Sequence, residues 1–187
     1  ITRPFIEEKN LEQVLAGSEN QSAFKLISSR FHKNRDILRD GLLASLLEVA
    51  YENINRGNAL PAIFELTNVY TKSESLDTTQ YQVLDYARNK DLTEKYLLGA
   101  CLVEVDPYKI TTLIKDLEKR FRSRIKSTTL FENKLGKGYE YNFEGGVKIK
   151  FYQVSKKILK RFTRSLSKKV FYLEIDLTLW NHQFYGY

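Results

Sequence analysis

The sequence contains no Met, one Cys, two His and three Pro among its 187 residues. The missing initiator Met predicts that residues are absent before Ile1, and it leaves open whether Met positions within the chain are absent too. The lone Cys101 excludes an intrachain disulfide and a multi-cysteine zinc site, and it fits a reducing compartment. His32 and His182 lie far apart without ligand-spaced acids beside them, which disfavours a histidine zinc site.

Long apolar runs are also absent. No stretch approaches the roughly 20 apolar residues that span a bilayer, and residues 1–10 do not resemble a signal peptide. The apolar content of 42% is ordinary for a globular protein. We therefore predict a soluble, cytoplasmic protein that has no membrane partner and needs no cofactor.

Charge is distributed unevenly along the chain. Residues 1–107 carry 12 Lys and Arg against 16 Asp and Glu, whereas residues 108–187 carry 18 against 7. An acidic part joined to a strongly basic part indicates an anionic partner. Nucleic acid is the expected partner, and the helical part is a candidate for contacts with a protein.

Apolar residues at helical spacing predict a helical N-terminal part. The clearest helix covers residues 34–56 and is closed by Gly57, and Pro61 is predicted to open another that runs to residue 69. Further helices are predicted over residues 10–16, 22–31 and 77–87. Residues 91–103 fit either a buried helix or a strand.

The apolar period changes from 3.6 to 2 in the second part of the chain. Asp106 and Pro107 predict the start of a basic amphipathic helix, and Gly145 and Gly146 predict the turn of a β-hairpin. Ser155 is predicted to cap a short helix, and residues 170–180 to form a final strand. The predicted class is α+β, with a mainly helical part, 1–106, and a basic α+β part, 107–187.

Basic side chains of the second part are the candidate phosphate contacts. The first cluster comprises Lys148, Lys150, Lys156, Lys157, Lys160, Arg161 and Arg164, and the second comprises Arg120, Arg122 and Arg124. Lys148, Lys150 and Tyr152 are expected to be exposed on the hairpin. Tyr152 and Trp180 are the candidates for base stacking, although rings at period 2 also fit a core.

No set of residues predicts catalysis. Glu174 and Asp176 share one face of the last strand and could bind Mg²⁺ as in a metal-dependent nuclease, but no third carboxylate has a matching spacing. The preferred function is a nucleic-acid-binding accessory protein without its own catalysis, possibly for single-stranded DNA. An adaptor or inhibitor of an acidic protein and the nuclease are the alternatives.

Residues 43–89 carry a resemblance to a known group of proteins. A helix ends near Gly57 and Asn58, and a segment with Leu60, Pro61 and Leu66 follows it. In this order the segment resembles small accessory proteins encoded by bacteriophages. The resemblance implies a role in phage DNA metabolism.

Overall fold

Long strands, rather than helices, dominate the part of the chain that the structure describes. The computed structural model describes residues 5–6, 24–25, 37–58, 62–72, 92–162 and 168–178. A small sheet contains the two-residue strands β1 Phe5–Ile6, β2 Phe24–Lys25 and β3 Ile37–Leu38. The large sheet contains β4 Ala62–Lys72, β5 Leu92–Val103, β6 Ile125–Glu132, β7 Gly136–Phe143, β8 Lys148–Val154 and β9 Val170–Asp176. The helices of these residues are α1 Leu43–Asn55, α2 Pro107–Phe121 and α3 Lys156–Phe162.

The large sheet is antiparallel, with the strand order β4-β5-β9-β8-β7-β6. Strands β6, β7 and β8 follow one another as a meander. The last strand, β9, then inserts between β8 and β5. Strands β4 and β6 are therefore the edges among the described strands.

The two faces of the sheet are covered by different helices. Alternate residues of a strand point to opposite faces, and β8 shows this with Ile149 and Phe151 on one side and Tyr152 and Val154 on the other. Tyr152 and Val154 belong to a core with α1 and α3. Ile149 and Phe151 belong to a second core with Ile110 and Ile114 of α2. We call the two sides the α1/α3 face and the α2 face.

Helix α2 begins where the sequence predicts, and a strand that was not predicted follows its end. The side chain of Asp106 accepts a hydrogen bond from the amide of Tyr108 at 3.0 Å, and Pro107 occupies the first turn, which confirms the predicted start. The helix ends at Phe121, because Arg122 adopts a left-handed conformation with φ of 49°. The segment from Ile125 then forms β6, a strand that the sequence reading missed.

The predicted helical N-terminal part is wrong. The segment from Pro61 to Val69 is predicted to be a helix, but residues 62–72 form the edge strand β4. Strand β4 pairs with β5 along the whole length of β4. Residues 37–38 are a strand, and of the described residues within the expected helix 34–56 only Leu43–Asn55 are helical. Local apolar spacing fits both periods in these short runs, and pairing between distant strands decides between them.

The second part of the chain follows its prediction more closely, within a larger sheet. Strands β7 and β8 pair around the turn at Gly145 and Gly146, and the Oγ of Ser155 accepts from the amide of Ile158 at 3.3 Å. Residues 91–103, which fitted a helix or a strand, contain β5. The helices predicted over residues 10–16 and 77–87 lie outside the described residues. Of the helix predicted over residues 22–31, residues 24–25 are described, and they form strand β2.

The predicted boundary at residue 106 falls between paired strands. Strand β5 precedes it and β9 follows it, and the two pair from Leu97–Asp176 to Val103–Val170. The division into parts 1–106 and 107–187 stays a prediction about which parts fold alone. In the described ranges, no helix is long and apolar enough to cross a membrane.

Candidate nucleic-acid interface

The hairpin lysines lie in rows of alternating charge on the α1/α3 face. Lys150 of β8 is opposite Glu140 of β7 and Glu174 of β9, and Lys148 is opposite Asp176. The Nζ of Lys150 lies 3.7 Å from the Oε2 of Glu140. These lysines are exposed, as predicted, but acids on both neighbouring strands reduce the positive potential that a phosphate would meet.

Glu174 is part of a hydrogen-bonded cluster in the same rows. The hydroxyl of the buried Tyr172 donates to its Oε2 at 2.8 Å. Burial raises the pKa of Glu174, while the hydrogen bond from Tyr172 and the charge of Lys150 act in the opposite direction. Within the described ranges no three or more His, Cys, Asp or Glu side chains are grouped so as to hold a metal ion. The nuclease alternative therefore gains no support from Glu174 and Asp176.

Tyr152 is buried, and the expectation that it is exposed is wrong. Its side chain is 5% exposed, and its ring lies 5.5 Å from that of Phe131 and 5.4 Å from that of Tyr172. The face opposite Ile149 is open near Lys148 and Lys150, but α1 and α3 cover it at Tyr152. The ring of Tyr152 is therefore part of the core, which is the alternative that the period of 2 also allowed. It cannot stack on a base.

Helix α3 presents the second group of predicted lysines. Ile158 and Leu159 anchor the helix on the α1/α3 face, which leaves Lys156, Lys157 and Lys160 exposed. Arg161 is half-buried and has interactions of its own. Arg164 and Trp180 lie outside the described residues.

The predicted arginine cluster lies where α2 passes into β6. Lys119, Arg120, Arg122, Arg124 and Lys126 are all exposed, and no acidic residue occurs from 119 to 126. We call these five residues the cationic turn. Among the described residues, Lys119 is the one member of the cationic turn with an acidic side chain within ion-pair distance. Its Nζ lies 3.8 Å from the Oδ1 of Asp116, and both side chains are exposed. Such an exposed pair contributes little.

Three hydrogen bonds fix the backbone of the cationic turn, and two of them join it to the β7–β8 hairpin. Glu118 accepts from the amide of Ile125 at 2.9 Å, and the Oγ of Ser123 accepts from the amide of Gly145 at 3.0 Å. The carbonyl of Arg124 accepts from the amide of Glu144 at 3.0 Å. The five cationic side chains therefore project from a backbone that is held at several points.

The basic clusters do not lie on one face of the sheet. Helix α3 covers one face of the sheet and α2 the other, so that their basic side chains lie in different layers. The hairpin lysines lie between acids. The cationic turn and the three exposed lysines of α3 remain as clusters with few neighbouring acids. The absence of acids from 119 to 126 was the signal for Lys119 and Lys126, which the predicted site omitted.

Cys101 is buried in the α1/α3 core. Burial raises the pKa of its thiol to about 12. The thiol therefore stays protonated and unreactive at neutral pH.

The arrangement of the sheet is that of a known class of proteins. The fold is similar to the structure of PylSc, a pyrrolysyl tRNA synthetase of Desulfitobacterium hafniense, with a TM-score of 0.66 and 14% identity over 98% of this chain. It is also similar to a crystal structure of pyrrolysyl-tRNA synthetase from that organism, with a TM-score of 0.63 and 13% identity over 98% of the chain. The chain spans 61% and 62% of those two proteins. At these identities the similarity shows a shared, tRNA synthetase-like fold.

The family is identified by sequence. A family model of the phenylalanyl tRNA synthetase beta chain CLM domain matches residues 1–177, and the chain belongs to this family. Among curated proteins, none matches the sequence. The resemblance of residues 43–89 to phage accessory proteins is wrong, since the family match includes them. The name of the family agrees with nucleic acid as the class of partner and gives no support to phage DNA.

Proposed function

We propose that this chain is an RNA-binding module of a tRNA synthetase beta chain, that the cationic turn contacts the phosphate backbone of tRNA, and that the chain has no catalytic set of its own. The family match over residues 1–177 is the observation that carries the proposal. It favours RNA over DNA, and tRNA over other RNA.

The electrostatics of the cationic turn support its part in the proposal. Cationic side chains bind nucleic acid by neutralising phosphates and releasing condensed counterions, which requires that acids nearby have not already neutralised them. The hairpin lysines are interleaved with Glu140, Glu174 and Asp176. Residues 119–126 include no acid, and the carboxylate of the preceding Glu118 accepts from the backbone amide of Ile125. The exposed lysines of α3 remain a second, separable surface.

A titration tests the proposal. Fluorescently labelled phenylalanine tRNA, a single-stranded DNA of equal length and a DNA duplex are titrated with the chain at several salt concentrations. We expect tRNA to bind most tightly, with log K falling linearly against log salt. Equal affinity for the three nucleic acids would remove the preference for tRNA, and no binding at low salt would refute the proposal.

A contact with another protein is a second candidate, and a specific observation favours it. Phe64 and Leu66 of the edge strand β4 are 74% and 44% exposed on the α2 face. Large exposed apolar side chains on an edge strand mark a site for pairing or packing with another chain. Sedimentation of the wild type and of Phe64→Ser/Leu66→Ser tests it, because self-association or binding to a copurified subunit should weaken in the variant.

A further inference from the structure

A second aromatic feature lies at the other edge of the sheet, on the α2 face. Leu130 of β6 is opposite Tyr139 of β7, and the two side chains are 56% and 46% exposed. The rings of Tyr139 and Tyr141 lie with their centroids 6.2 Å apart and their planes at 40°. We call Leu130, Tyr139 and Tyr141 the aromatic edge.

The aromatic edge is one exposed end of a row of residues that is buried at its centre. Phe151 and Leu173 continue the row from Tyr139 towards the centre of the sheet, and they are 7% and 4% exposed. The buried residues of α2, Ile110 and Ile114, pack on this central part. The helix does not bury Leu130 or Tyr139, so that apolar ring surface remains in contact with water.

The cationic turn adjoins the aromatic edge along the same two strands. Ile125, within the cationic turn, is paired with Phe143, and Leu130 is paired with Tyr139 four residues further along β7. At about 3.4 Å per residue, the two pairs are about 14 Å apart. A short stretch of unpaired nucleotides can place phosphates at one end of this distance and a base at the other.

The chemistry of the two neighbouring groups selects the ligand. Single-stranded nucleic acids bind to surfaces that combine cations for the backbone with aromatic rings for the bases. In a duplex the faces of the bases are already stacked, and proteins that read RNA bases therefore take them from loops, bulges and ends. Burial, and the neighbouring Tyr139, raise the pKa of Tyr141, so that its ring stays neutral and compatible with stacking at physiological pH.

We propose that the aromatic edge stacks on unpaired bases of an RNA whose phosphates contact the cationic turn, with Tyr139 as the principal ring. This proposal rests on the proposed RNA-binding function and names the kind of RNA segment that the chain recognises. Tyr139 is chosen because it is the more exposed of the two rings and directly faces the exposed Leu130.

Phe64 provides a matched control. It is an exposed aromatic residue in the same row of the same face, at the opposite edge of the sheet. Its cross-strand partner is Ala100, and the neighbouring pairs Ala62–Leu102 and Leu66–Leu98 contain no charged residue. Loss of a general hydrophobic contact would affect Phe64 and Tyr139 alike, whereas stacking beside the cationic turn would affect Tyr139 alone.

The test compares Tyr139→Ala, Tyr139→Phe and Phe64→Ala in binding to a 12-nucleotide single-stranded RNA and to an RNA duplex of equal length. The single strand carries one 2-aminopurine, whose fluorescence is quenched on stacking. We expect Tyr139→Ala to bind the single strand about 5- to 150-fold more weakly, the effect of losing one stacked base. Tyr139→Phe and Phe64→Ala should stay within about 3-fold of the wild type, since the first keeps the stacking ring and the second lies away from the cations.

Three further readouts separate the possible failures. The salt dependence of Tyr139→Ala should equal that of the wild type, because no charge is removed, and its duplex affinity should be unchanged. Full affinity of Tyr139→Ala for the single strand, with binding of tRNA intact, would overturn the stacking proposal and leave the proposed function standing. An equal loss in Tyr139→Phe would also overturn it, since the ring is retained. Absence of tRNA binding by the wild type would refute the proposed function itself.

Discussion

The role of the cationic turn can be tested by removing three charges together. In Arg120→Gln/Arg122→Gln/Arg124→Gln the side chains change on the surface only, since all three arginines are exposed. Arg122 has a φ of 49°, and Gln is no more strained there than Arg. We therefore expect the thermal stability of the variant to match that of the wild type, which a melting curve checks.

The expected loss follows from counterion release. Each phosphate contact contributes about 0.7 to 0.9 to the slope of log K against log salt, so that three contacts contribute about 2 to 3. If the remaining part of the binding energy is unchanged, this slope corresponds to roughly 50- to 170-fold weaker binding at 0.15 M salt relative to a 1 M reference. The measurement is fluorescence anisotropy with labelled tRNA at five or more salt concentrations.

A matched variant decides whether the position of the charges matters. Lys156→Gln/Lys157→Gln/Lys160→Gln removes the same charge from α3, on the other face of the sheet. We expect this lysine variant to change the slope of log K against log salt by less than half as much as the arginine variant does. An unchanged slope in the arginine variant, or equal changes in the two variants, would refute the assignment of tRNA binding to the cationic turn.

Three predictions concern the fold that supports the site. Arg39 is buried, and its Nη1 lies 2.8 Å from the Oε1 of Glu65. Arg39→Ala should therefore lower the free energy of unfolding, measured by urea titration, by about 3–5 kcal/mol. A urea midpoint equal to that of the wild type would contradict the buried ion pair. Because the pKa of Glu174 is raised above its ordinary 4.5, the folded state holds this proton more tightly than the unfolded state does, and the stability of the fold falls as pH rises through the window above 4.5. The Glu174→Gln variant should show a smaller fall in melting temperature in thermal melts from pH 4 to 8. A Cβ at Gly138 would lie 2.1 Å from the carbonyl oxygen of Phe151, so Gly138→Ala should lower the free energy of unfolding by about 1–3 kcal/mol or more. As a control, Gly145→Ala should have the melting temperature of the wild type, because the nearest atom to its added Cβ is 3.4 Å away.

The start of α2, the cap of α3 and the turn of the β7–β8 hairpin could be predicted because their signals are local. Asp106 and Pro107, Ser155, and the pair Gly145 and Gly146 act within a few residues of their own positions. The exposure of Arg120 could likewise be predicted, since the helical period places it away from Ile110 and Ile114, whereas Arg122 and Arg124 lie beyond the end of the helix at Phe121.

The sheet could not be predicted in the same way. Strand β4 contains a run that fits a helix or a strand, and its pairing with residues 92–102 across a long separation in sequence makes it a strand. The burial of Tyr152 depends on α1 and α3 lying over one end of β8, which no pattern within β8 records.

By itself, the sequence determined the excess of positive charge after residue 107, the caps of two helices and the lack of a cysteine pair, since each depends on residues close together in the chain. Only the tertiary structure decided which cations stay unneutralised and which rings stay exposed. Those outcomes depend on strand order, because the insertion of β9 beside β8 brings Glu174 and Asp176 against the hairpin lysines while the cationic turn and Tyr139 lie beyond the reach of both acids.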